Sequence, residues 1–162
     1  MDKEELKRQV VAANPSFYLI PSKAPGSTFN SLWYRPKGSY RSCKVDLLFP
    51  GTIDITPIPI PSIDYPEPGR PCAPFTLVFL LKLKTWMQHH ESSESRFRIK
   101  SSTDASDVRR MLPIALAKGV NIQQPEAFLS PSFIEEAGLR AKRFLQEWPE
   151  TETEWGTLGF SV

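Results

Sequence analysis

The chain has 162 residues, with 40% hydrophobic and 11% aromatic residues and a formal charge of +2, the profile of a globular protein long enough to bury roughly 70% of its unfolded surface. A charge so close to neutral does not mark a nucleic-acid binder, and no stretch approaches the roughly 20 apolar residues of a membrane span, since Lys82 interrupts the run Phe75–Leu81. The charged start Met-Asp-Lys-Glu-Glu-Leu-Lys-Arg lacks the apolar core of a signal peptide, and two cysteines, Cys43 and Cys72, are too few for a disulfide framework, so a cytoplasmic or other intracellular protein is expected.

In chain order, residues 2–13 predict a helix with Asp2, Glu4 and Glu5 in its first turn and Leu6, Val10 and Ala13 along one face, stopped by Asn14-Pro15. Strand-like runs follow at Phe17–Ile20, Phe29–Arg35 and Ser42–Phe49, separated by turns rich in Pro, Gly and Ser. Cys43, opening an apolar strand, is expected to be buried or half-buried. Eight of the sixteen prolines lie between Pro50 and Pro74, and the alternating Pro57–Pro61 run cannot be a central strand. An ordered crossing with Ile55, Ile58, Ile60 and Ile63 against the body of the domain is the expectation, and an exposed PxxP-type ligand is the alternative.

The second half predicts helices. Phe75–His90 is apolar around most of its circumference, as a central buried helix would be, and should emerge into solvent at His89-His90. Ser92–Ser102 reads as a polar linker, after which Thr103 or Asp104 caps a helix that Pro113 kinks or ends. Ser130-Pro131 supplies a cap and a first-turn proline for the helix Ser132–Trp148. The tail carries Trp155, Leu158 and Phe160, too much apolar surface to be left in water. The expected fold is α+β: a single domain over 1–162, sheet-rich to 50, a Pro-rich crossing over 51–74, helical over 75–148 with its helices packed on a small mixed or antiparallel sheet, and a packed tail over 149–162.

Common catalytic signatures are absent: there is no GxGxxG, Walker A loop, GxSxG or HExxH. Pro25-Gly26-Ser27-Thr28 lacks the spacing and the lysine of a phosphate loop. Adjacent His89 and His90 project about 100° apart on a helix and are poorly placed for one metal. Asp46, within Val45-Asp46-Leu47-Leu48-Phe49, is either a buried charge that needs a partner or metal, or a residue that strand alternation turns to the exposed face. Lys82, Lys84, Arg96, Arg98 and Lys100 either attract an anion such as phosphate or stand as solvated helix ends.

The run Ser42-Cys43-Lys44-Val45-Asp46-Leu47-Leu48-Phe49-Pro50-Gly51, preceded by Phe17–Lys23 and Leu32-Trp33-Tyr34-Arg35, resembles a nucleotidyltransferase-like family common in mushroom-forming fungi. Leu80–Trp86, Lys100 to Thr103-Asp104, and Asp107-Val108 resemble that family's lysine-bearing helix and a later helix start, and Phe144, Pro149, Trp155 and Gly159-Phe160 echo its closing segment. The resemblance implies transfer of a nucleoside monophosphate from an NTP, using two divalent metals held by three acids. Asp46 corresponds to the third acid. The Gly-containing turn and Asp-x-Asp strand that hold the triphosphate and metals in the family would precede the helix at Glu4–Ala13, and neither is present in this sequence.

One carboxylate does not hold two magnesium ions about 4 Å apart against their hydration. The expectation is therefore a truncated, degenerate nucleotidyltransferase-like domain that acts by binding. Lys44, Lys82, Lys84, Arg96 and Lys100 are its candidate ligand residues for a nucleotide or other anion, with no cofactor in isolation. Loss of strands would leave a bare sheet edge for a second copy, as a homodimer, or for another protein to cover. The alternative is an enzyme: nucleotidyl transfer with Mg²⁺ or Mn²⁺ and NTP if other acids complete the Asp46 site, or a different reaction in the same cleft using Asp46, Cys43, Tyr34 and Lys82.

Overall fold

A computed structural model describes residues 2–22, 26–49 and 57–161. Lys23, Pro25, Pro50, Gly51 and Ile55, which entered the expectations above, lie outside the described residues. The fold is of the α+β class, with five α-helices and two small antiparallel sheets among the described residues. Where the sequence suggests one domain, contacts divide the chain into two compact units, 1–52 and 53–162.

The first unit opens with α1 (Lys3–Ala13), whose early acids Glu4 and Glu5 suit the positive end of the helix. Asn14 ends it: its side-chain oxygen accepts from Ser16 N–H at 2.9 Å, turning the chain into the sheet. Strands β1 (Phe17–Pro21), β2 (Asn30–Tyr34) and β3 (Cys43–Val45) pair antiparallel in that order. Their register sets Leu19 opposite Leu32, and Leu32 opposite Val45. Tyr18 donates to Ser42 Oγ at 2.9 Å, and Arg35 Nε donates to the same oxygen at 3.0 Å, so one hydroxyl ties β1 to the approach to β3.

Three expectations change in this unit. The third strand spans three residues, not eight, and ends before Asp46. Cys43 is exposed, at the first position of a three-residue strand that ends the sheet order. The residue of α1 that is buried is Lys7, while Ala13 is exposed; the lysine stem packs inward while its ammonium finds polar partners.

In the second unit, a 3₁₀ turn at Ile60–Ser62 leads to the hairpin of β4 (Asp64–Glu67) and β5 (Arg70–Cys72). Part of the Pro-rich crossing is therefore a two-stranded ribbon, where Pro66 and Pro71 are tolerated because each strand is an edge. Ile58 packs against the core but Ile60 is 78% exposed, so the interleaved isoleucines do not share one face. Four helices follow: α2 (Phe75–His90), α3 (Ser95–Ala117), α4 (Pro131–Glu147) and α5 (Glu152–Thr157).

The expected linker over 92–102 is mostly the start of α3, and Asp104 lies inside that helix, not at its cap. Pro113 does not end α3, which continues to Ala117; the site is exposed, so water can take the carbonyl that the missing N–H leaves open. The core is built from helices. Trp86 meets Phe144 and Trp148 edge-on with ring centroids 4.8 and 5.6 Å away, and Phe79 stacks on Trp155 at 5.5 Å. The tail packs as its composition demands: Trp155, Leu158 and Phe160 are buried, and Ile122 N–H bonds Leu158 O at 2.9 Å. No helix among the described residues is long and apolar enough to cross a membrane.

Candidate functional site

In the first unit, a cleft of about 310 Å³ lies between α1 and the sheet, and it gathers Lys3, Glu4, Lys7, Lys44 and Asp46. Their placement follows from local structure. Lys3, Glu4 and Lys7 share a face of α1 by helical spacing, while β2 and β3 bring in Leu32, Lys44 and Val45. Lys7 is 5% exposed, and its ammonium donates to Glu4 Oε1 and to Asn30 O, each at 2.5 Å. This links the helix to β2 and satisfies the buried charge.

Asp46 sits just past β3 with its side chain 67% exposed, and Lys44 Nζ approaches its Oδ1 at 3.1 Å. Of the two readings of this residue, the exposed one holds. Exposure removes the desolvation that a metal or partner would have had to offset, and the neighbouring ammonium matches its charge. Tyr34 and Cys43, two other groups considered for chemistry, are cross-strand partners in β2 and β3, and neither lines the cleft.

The remaining candidates belong to the second unit. Lys82 on α2 reaches both Asp104 Oδ1 at 3.1 Å and Asp107 Oδ2 at 3.0 Å on α3. Asp104 is 7% exposed, and its other oxygen lies 2.6 Å from His89 Nδ1. An ionised carboxylate only accepts, so Nδ1 carries the proton in this contact. The His89 ring stacks on Phe97 at 5.1 Å. Burial works to lower the pKa of Lys82, but hydrogen bonds and charge attraction from Asp107 and Asp104 outweigh it and hold the value above that of an ordinary lysine.

Lys82 is therefore committed to an internal polar network and not offered as an anion receptor. Arg96 pairs with Glu94 at 2.7 Å and lies 4.7 Å from the Phe97 ring, while Lys100 approaches the other candidates only through that same ring, at 5.7 Å. Lys84 lies on α2 two residues from Lys82, and it too makes an interaction within the protein. Each of these groups thus has partners of its own. His89 and His90, expected in solvent, are each about three-quarters buried at the side chain; His90 Nε2 accepts from Arg143 at 3.0 Å.

Two participants escape a reading of the sequence. Lys7 looks like one more charge in a polar helix, and only its place among Leu6, Val10 and Val11 signals burial. Asp104 imitates a helix cap because Thr103-Asp104 stands directly before an apolar periodic run. Comparison of the chain with protein-family models, curated proteins and solved structures finds no match.

Proposed function

We propose that this chain is a nucleotidyltransferase-like domain that acts by binding a phosphate-bearing anion in the first unit's cleft, without carrying out metal-dependent nucleotide transfer on its own. The observation that carries this reading is the meeting of Lys3 and Lys44 in one cleft beside Asp46, with the Lys7 ammonium held in its wall by Glu4 and Asn30. Three ammonium groups face two carboxylates there, Glu4 and Asp46, and Lys3 makes no ion pair among the described residues. A positive cleft attracts phosphate and opposes magnesium. Lys44 Nζ stands 3.1 Å from Asp46 Oδ1 and competes with a metal for that carboxylate.

The test is calorimetry with the four nucleoside triphosphates, with and without Mg²⁺ or Mn²⁺. Binding should occur without metal and weaken about three- to tenfold in Lys44→Ala, the scale of one charge-assisted contact at an exposed site. A response that requires metal and disappears in Asp46→Asn would restore the enzymatic reading.

The sheet supports self-association as a second binding mode. β3 ends the strand order, so its outer edge meets no other strand among the described residues, and such an edge recruits another copy or a partner strand. Light scattering should report a dimer at micromolar concentration that dissociates when Lys44, at the middle of β3, is replaced by proline. A monomer in the parent chain rules this mode out.

A further inference from the structure

The first unit holds a second cleft, of about 690 Å³, that shares no lining residue with the one beside Asp46. Its volume is that of a small-molecule site. It lies where the chain leaves β2 and passes the start of β1, and Arg35 N–H, donating to Ser16 O at 2.9 Å, joins those two segments. A turn closed by Ser39 N–H to Pro36 O at 3.0 Å, with Gly38 at φ +77°, sets Lys37 beside Arg35.

Arg35 is held on two sides. Its Nε donates to Ser42 Oγ at 3.0 Å, and its guanidinium carbon stands 5.3 Å from the centre of the Tyr18 ring. Tyr18 is fixed in turn, because its hydroxyl donates to the same Ser42 oxygen at 2.9 Å. The two terminal nitrogens of Arg35 make no hydrogen bond or ion pair among the described residues. The guanidinium is thus oriented in advance with its two-pronged edge unused. Lys37 also makes no ion pair among the described residues, and no Asp or Glu lines this cleft, whereas Glu4 and Asp46 line the other.

The two cations select among anions. A carboxylate or a phosphodiester brings one charge and two free oxygens, enough for the fork of Arg35 but leaving Lys37 unmatched. A phosphomonoester brings three free oxygens and close to two charges at neutral pH. Two of those oxygens fit the parallel N–H groups of the fork, and the third meets the lysine's point charge. We infer that this cleft binds a small phosphomonoester, with its phosphate on Arg35 and Lys37 and its organic group beside Pro15 and Pro36.

Calorimetry on the full chain with phenyl phosphate, set against benzoate and methyl phenyl phosphate, tests this. Phenyl phosphate should bind saturably and about three- to tenfold more tightly than either comparison, the scale of one charge-assisted contact at an exposed site. Lys37→Gln, in an exposed turn, should abolish that preference, and Arg35→Lys, which keeps the charge but not the fork, should weaken phenyl phosphate by a similar factor, with circular dichroism verifying the fold. No saturable binding up to about 10 mM, weaker than small-molecule sites of this kind require, overturns the inference. So does benzoate binding as tightly as phenyl phosphate, or binding that both variants leave intact and Lys44→Ala removes, which would place the ligand in the other cleft. A phosphotyrosine peptide binding more than about tenfold tighter than the free ester would also overturn it, since most of the affinity would then come from the polypeptide.

Discussion

Lys82 keeps its proton against its own partial burial because Asp107 and Asp104 lie within 3.1 Å, and that balance has a sign. The folded pKa is raised above the unfolded value, so its stabilisation is fully present below the unfolded lysine value of about 10.4 and is lost as pH rises through the folded value. Alkaline melts should therefore show a drop in Tm above about pH 10 that is smaller in Lys82→Met. Asp104→Asn removes the charge that both Lys82 and His89 face. Lying between an exposed pair and a fully buried one, the loss should be about 2 kcal/mol in chemical denaturation. Gly159 sets a different limit: its φ is +88°, and an added Cβ would stand 2.9 Å from Asn121 Oδ1 and Gln123 Cγ. Gly159→Ala should cost about 1–2 kcal/mol, from the left-handed backbone and the close contact together.

Among the elements, legibility followed the strength of the local signal. The limits of α2 are those its pattern predicts, since Pro74 precedes it and its apolar run has no competing reading. The start of α4 is equally plain because Ser130 caps it, accepting from Phe133 N–H at 3.2 Å; Ser130→Ala should lower stability by about 1 kcal/mol in urea titration. The beginning of α3 is not legible. Ser95–Ser102 has no apolar face to show a helical period, and its helicity follows from Asp104 and Val108 being packed on α2 further along. The hairpin of β4 and β5 was hidden by prolines that only an edge strand accepts. For the candidate site, Asp46 and Lys44 were visible as a charged interruption of an apolar run. Their meeting with Lys3 and Lys7 depends on how α1 crosses the sheet, which spacing along the chain does not encode.

At the scale of the molecule, hydrophobic burial is uneven. Among the described residues, eighteen of the nineteen buried apolar side chains belong to the second unit, and Leu32 is the one in the first. A unit of about 50 residues with so little apolar core is marginal. Amides of β1 to β3 should thus exchange with deuterium well before those of α2 and α4, and the second unit should retain protection in urea that strips it from the first; equal protection across both would contradict this division. Trp86→Ala, in the centre of the second core, should cost about 3–5 kcal/mol. The two thiols follow the same partition. Cys43 and Cys72 are both exposed and unpaired, one in each unit. The natural sequence therefore carries one chemically addressable handle on each half, and a donor and acceptor dye attached to them would follow the distance between the halves through a titration with ligand, with no engineered cysteine required.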